Sequence, residues 1–89
     1  MYYIYTTLVS YRRNVLRETQ LTEYLFKANN IPFKTIDISI EDSMPDIVKQ
    51  ARLPIVLWNN EFVGTYLSLQ EQEDDGVLKM NLTSRLERK

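Results

Sequence analysis

The sequence predicts an α/β domain built on a four-stranded mixed sheet with helices on both faces. Three observations carry that expectation. Apolar runs and amphipathic stretches alternate in the order strand, helix, strand, helix, strand, strand, helix. The pair Asn59-Asn60 separates two short apolar runs, and Pro54 stands at the entry to the first of them. A chain of 89 residues holds one core of ordinary size, so a single domain is expected over 1–89.

Tyr2 to Thr7 is rich in aromatic and β-branched residues, which suit a pleated, partly buried strand. Leu21, Leu25 and Ala28 then recur at steps of four and three, with Val15, Thr22 and Phe26 beside them and Arg13, Gln20, Glu23 and Lys27 opposite. That spacing predicts an amphipathic helix starting near Arg13 or Asn14. It should stop at Asn29-Asn30, because Asn tolerates a left-handed closing residue and Pro32 cannot continue a helix. Phe33 to Ile40 reads as a second strand, with Ile36, Ile38 and Ile40 on one side. Ser43, followed by Pro45 and Asp46, opens a short helix to Ala51, the hydroxyl capping free amides and the carboxylate meeting the positive end of the dipole.

Leu53 to Trp58 and Glu61 to Gly64 flank Asn59-Asn60, a pair that accepts the positive φ angles of a two-residue hairpin, so strands three and four are antiparallel. Tyr66 to Asp75 and Val77 to Arg88 form two helical stretches broken at Gly76. Right-handed crossovers make the first two strands parallel, with the hairpin added at one edge.

Composition removes whole classes of chemistry. The chain has no Cys and no His, which excludes thiol catalysis, disulfides, His acid–base chemistry and the usual zinc sites. A net charge of −1 and a pI near 5.4 argue against a nucleic-acid partner. The longest stretch free of polar side chains is Leu53 to Trp58, far short of the roughly 20 residues that span a bilayer, so no membrane is expected. The first residues lack the basic and apolar regions of a signal peptide, and the expected localisation is cytoplasmic.

The element order is the thioredoxin-like one, a three-layer sandwich, and Pro54 falls where that fold places a cis-proline. A trans proline would disrupt entry into a central strand, so cis is expected. Ile4-Tyr5-Thr6-Thr7, Arg52-Leu53-Pro54-Ile55-Val56 and Asn59 to Gly64 together resemble a glutaredoxin from end to end. The chain looks more closely still like the Src-homology-3-binding, glutamic-acid-rich-like family, which are glutaredoxin-shaped proteins without redox cysteines. Tyr24 to Phe33 followed by Asp37-Ile38 is similar to that family's helix end and second strand, and Leu53-Pro54 with Gly64-Thr65-Tyr66 and Glu71 to its later block.

Departures from the resemblance are as informative. Where glutaredoxins carry Cys-Pro-Tyr-Cys the chain runs Ser10-Tyr11-Arg12-Arg13, so disulfide exchange has neither a nucleophile nor a resolving thiol. Where they grip the γ-glutamyl group of glutathione, it has Gly64-Thr65-Tyr66-Leu67, which argues against glutathione affinity. No Pro-x-x-Pro occurs, so polyproline binding to Src-homology-3 domains does not carry over.

The candidate groove comprises Ser10, Tyr11, Arg12, Arg13, Leu53, Pro54, Thr65 and Tyr66. A cis-proline leaves the preceding residue's backbone free to pair with an extended ligand, and Tyr11, Tyr66 and Trp58 are placed to flank it, although Trp58 also fits a core or hairpin position. Arg12, Arg13 and Arg17 gather at the positive end of the first helix, which reads either as an anion site or as three solvated side chains. Ser10 has no base to activate it and suits a turn or cap. Glu71, Glu73, Asp74 and Asp75 lack the alternating oxygen spacing of a calcium loop and read as a solvated helix face.

The expected function is a non-catalytic, glutaredoxin-like adaptor, not an enzyme and without a cofactor, that binds a protein partner through the cis-proline groove or an edge strand. Two alternatives stand beside it: a residual binder of glutathione-like molecules, and a structural subunit of a larger assembly, to which six Tyr residues lend some support. A homodimer stays open.

Overall fold

The computed structural model describes residues 1–7, 13–39, 48 and 53–87, with Arg13 through its backbone only. The elements are β1 (Tyr2–Thr6), α1 (Arg13–Ala28), β2 (Phe33–Asp37), β3 (Ile55–Trp58), β4 (Glu61–Thr65), α2 (Tyr66–Asp74) and α3 (Leu78–Leu86). They form a four-stranded mixed sheet of order β2-β1-β3-β4, with β1 and β2 parallel and the β1–β3 and β3–β4 pairs antiparallel. This is the thioredoxin-like arrangement that the element order predicts.

Alternation along β1 divides the core in two. Tyr2 and Ile4 face α1, α2 and α3, where they pack with Leu25, Phe26, Val56, Leu69, Leu78 and Leu82. Tyr5 faces the other way, toward Ile55, Leu57 and Val48, with Tyr3, Ile36, Ile38 and Leu53 at the margin. Val48, helical and buried, covers that second face; the rest of the helix expected between Ser43 and Ala51 lies outside the described residues. Burying each large side chain stabilises by about 1.5 to 3 kcal/mol, so the two faces are what fix the register. Trp58 packs on Tyr2 at 4.7 Å between ring centroids, which places it, half-buried, at the margin of the core.

Residues of positive φ close the elements where the sequence places Asn and Gly. Asn30 (φ 58°) ends α1, Asn59 (φ 50°) and Asn60 (φ 69°) make the hairpin turn, and Gly76 (φ 75°) separates α2 from α3. The Leu53–Pro54 peptide is cis, as the sequence predicts.

Two expectations are corrected. The second strand ends at Asp37 rather than Ile40, because the Asp37 carboxylate accepts from both the backbone N–H (3.0 Å) and the hydroxyl (2.7 Å) of Ser39 and turns the chain. The buried face of α1 keeps the expected Thr22, Leu25 and Phe26 but adds Thr19, whereas Leu21 is half-buried and Ala28 exposed. Threonines can occupy that face because their hydroxyls donate to carbonyls one turn back: Thr19 to Val15 (2.7 Å) and Thr22 to Glu18 (2.7 Å).

Candidate functional site

Strand pairing alone brings half of the candidate groove together. Ile55 lies opposite Thr65 in the antiparallel β3–β4 pair, so the residues just before Ile55 run beside those just after Thr65. Leu53 and Pro54 therefore meet Thr65 and Tyr66. These four line a cleft of about 60 Å³ whose remaining walls, among the described residues, are Glu18 from α1 and Leu67 from α2.

The strand-to-helix junction that carries Thr65 and Tyr66 is held locally. Thr65 is extended (φ −104°, ψ 173°) and Tyr66 is the first helical residue. The Thr65 N–H donates to Ser68 Oγ (2.9 Å), and that hydroxyl donates to the Thr65 carbonyl (3.0 Å), so one side chain satisfies two backbone groups at the helix start. A Cβ on residue 64 would collide with Ser68 Oγ, so this cap requires glycine at that position.

A wider, open cleft of about 270 Å³ adjoins the first. Asn14, Arg17, Glu18 and Leu21 line it from one face of α1, and Tyr66 from α2. Glu18 and Tyr66 belong to both clefts and stand between them. Pro54 is buried; Glu18, Leu53, Thr65 and Tyr66 are half-buried; Leu67 is 67% exposed and forms an apolar rim.

At the far side of α1 the helix is locked to the sheet. Thr6 and Thr19 hydroxyls are 2.6 Å apart and buried. Thr19 spends its proton on the Val15 carbonyl, so Thr6 must be the donor in the pair. Thr35 donates to the Glu23 carboxylate (2.6 Å), which ties the same helix to the edge strand β2.

Of the sequence-predicted site residues, Leu53, Pro54, Thr65 and Tyr66 converge on one cleft, and Arg13 supplies the first residue of α1. Ser10, Tyr11 and Arg12 lie outside the described residues, and Trp58 does not line either cleft. Glu18 and Leu67 are wall residues that sequence reasoning missed. The signal for Glu18 was present: it lies three residues before Leu21 and seven before Leu25, which places a carboxylate beside the apolar stripe.

The acidic run after Leu69 has structural partners. Glu73 accepts from the Asn29 side-chain amide (3.0 Å) and Asp74 from that of Gln70 (2.9 Å). Among the described residues no group of three or more acidic, His or Cys side chains is placed to hold a metal ion. No described helix is long and apolar enough to cross a membrane.

No protein-family model matches the chain, and no curated protein sequence matches it. Solved structures do. Wild-type actin interacting protein 5 (Aip5) is 26% identical, with a TM-score of 0.73 over 88% of this chain and 86% of that one. The C. albicans actin interacting protein Aip5 is 20% identical, with a TM-score of 0.78 over 91% and 86%. A buckwheat glutaredoxin in complex with glutathione is 19% identical, with a TM-score of 0.68 over 93% and 76%. The backbone is thus shared with glutaredoxins, while the thiols that perform glutaredoxin chemistry are absent from the sequence. The chain has the thioredoxin-like fold that glutaredoxins share, and its sequence contains no cysteine.

Proposed function

We propose that the chain is a non-catalytic interaction domain, one unit over residues 1–89, that binds an actin-related protein partner through the groove beside Pro54. The observation that carries this reading is the likeness to wild-type Aip5, a protein named for its interaction with actin, at 26% identity over most of both chains. The groove supports it on chemical grounds. Its described walls offer apolar side chains, one carboxylate and two hydroxyls but no thiol and no imidazole, which suits recognition better than bond-making. A cleft of about 60 Å³ opening into a wider, shallow one fits a chain segment laid across the surface. Enclosed small-molecule sites run to roughly 300 Å³ or more.

The site assigned is Leu53, Pro54, Thr65 and Tyr66, joined by Ser10, Tyr11, Arg12 and Arg13 from their place in sequence before and at the head of α1. No acidic residue occupies the first turn of α1, so Arg13 adds a positive charge to a helix end that is already positive, as expected of a residue kept for an anionic contact. A cytoplasmic location accords with such a partner.

The test is binding to purified monomeric and filamentous actin, by fluorescence titration and by cosedimentation. Saturable binding is expected, weakened by replacing Arg12 and Arg13 with Gln, with a loss that shrinks as salt is raised. Absence of binding to both forms of actin overturns the assignment of the partner.

A further inference from the structure

Among the described residues, Glu18 is the one charged residue in the wall of the cleft at Pro54, and its described neighbours there are Leu53, Pro54, Thr65, Tyr66 and Leu67. It is half-buried, and its carboxylate has no hydrogen-bond or ion-pair partner among the described residues. The adjacent base, Arg17, does not serve, because successive helix residues diverge in direction, and Arg17 lines only the wider cleft. A carboxylate in an apolar wall with no partner of its own is open to pairing with an incoming cation, and such charge-assisted hydrogen bonds are the stronger kind.

We infer that this cleft receives a basic side chain, Lys or Arg, from the partner protein, with Glu18 as the residue that selects it. The inference rests on the reading that a protein segment occupies the groove, and it names the chemistry of that segment at one position. Each wall matches part of such a side chain. The methylene stem lies against Leu53, Pro54 and the exposed Leu67, the charged head reaches Glu18, and the Tyr66 ring stands in the same wall, where cations favour an aromatic neighbour. The volume of about 60 Å³ is far below that of a site for a whole ligand. Arg17, beyond Glu18 and Tyr66, meets the residues that follow, so the preferred segment carries its basic group at the Pro54 cleft and not at the wider one.

The experiment is an NMR titration of the isotope-labelled chain with two blocked tripeptides, acetyl-Leu-Lys-Leu-amide and acetyl-Leu-Glu-Leu-amide. The Lys peptide is expected to shift the amide signals of Thr65, Tyr66 and Leu67, and the Glu peptide to leave them in place. Glu18→Gln should weaken the Lys peptide by about tenfold, the loss of one charge-assisted contact, and Glu18→Lys should exchange the preference of the cleft for that of the Glu peptide. Arg17→Gln should leave the Lys peptide bound as well or better. Glu18 uses only its backbone carbonyl to hold Thr22, so these variants retain the fold. Equal responses to the two peptides, or full affinity of Glu18→Gln for the Lys peptide, overturn the inference. If the Lys peptide binds selectively while actin does not bind, the actin assignment falls and the cleft chemistry stands. If actin binds Glu18→Gln as it binds the parent and the peptides do not discriminate, the outcome is the reverse.

Discussion

Thr19 shows how much a single buried hydroxyl decides. It takes the proton of Thr6 and gives its own to Val15, so the end of β1 and the body of α1 are joined through one oxygen. Replacing Thr19 by Val leaves the Thr6 hydroxyl buried without an acceptor in that pair, and a loss of about 1 to 3 kcal/mol is expected by urea denaturation. Replacing Thr6 by Val as well removes the stranded donor, and the double variant should recover most of that stability. Failure to recover would mean that Thr6 is held by another acceptor. Residues of this kind are hard to read in a sequence. The spacing of Leu21, Leu25 and Ala28 placed Thr22 on the inward side but gave no place to Thr19, whose polar side chain carries no apolar signal. The inward face is instead set by side chains that return their hydroxyl to the backbone and present a methyl group to the core. Asn30, Asn59, Asn60 and Gly76 were legible because few residue types accept positive φ, so their presence announces the turn. Glu18 was harder, since a lone Glu on a helix carries no such restriction.

At the scale of elements, the junction of β4 and α2 fixes the site, and Gly64 and Ser68 fix the junction. Gly64→Ala should displace Ser68 Oγ from both Thr65 backbone groups and cost about 0.5 to 2 kcal/mol, the usual value of a helix cap. In a Ser68→Ala background the same change should cost clearly less, and thermal denaturation of the four proteins in this cycle measures the coupling. A coupling of zero would place the cost of Gly64→Ala elsewhere. The hairpin of β3 and β4 was readable from Asn59-Asn60, and with it the meeting of Leu53-Pro54 with Thr65-Tyr66, because a known turn fixes which residues face each other. The end of β2 was not. Ile36 and Ile38 both pack on the second core, so the alternation recorded a shared face, while the strand itself was ended by the Asp37 turn. The Ile38 N–H still donates to the Thr6 carbonyl (2.8 Å), one residue past the strand.

At the scale of the molecule, the absence of Cys makes a prediction that separates this chain from the proteins whose backbone it shares. Its melting temperature should be the same in dithiothreitol and in oxidised glutathione, and it should show no disulfide reductase or glutathione transferase turnover above a blank without protein. Reduced glutathione tests the alternative reading in the same assay: a ligand at a hundred times its Kd stabilises by about 2.7 kcal/mol, which would raise the melting temperature by several degrees. No shift is expected. The six tyrosines, which alone suggest a sticky surface, are partly spent on the interior: Tyr2 and Tyr5 are buried, and Tyr24 is 65% exposed.

One contact bears on how the chain comes into being. The Tyr2 hydroxyl donates to the Leu82 carbonyl at 2.8 Å, a buried bond between residues 80 positions apart, and Tyr2 shares its core with Leu78 and Leu82. At about 5 to 20 residues per second, a ribosome makes Leu82 roughly 4 to 16 seconds after Tyr2. Throughout that interval β1 can find β2 and then β3, and α1 can bring Phe26 onto the Tyr2 ring, yet the part of Tyr2 that Leu78 and Leu82 cover stays open. The nascent chain therefore passes that interval with part of an aromatic surface uncovered, and whatever shields that surface in the meantime acts before any partner of the finished protein does.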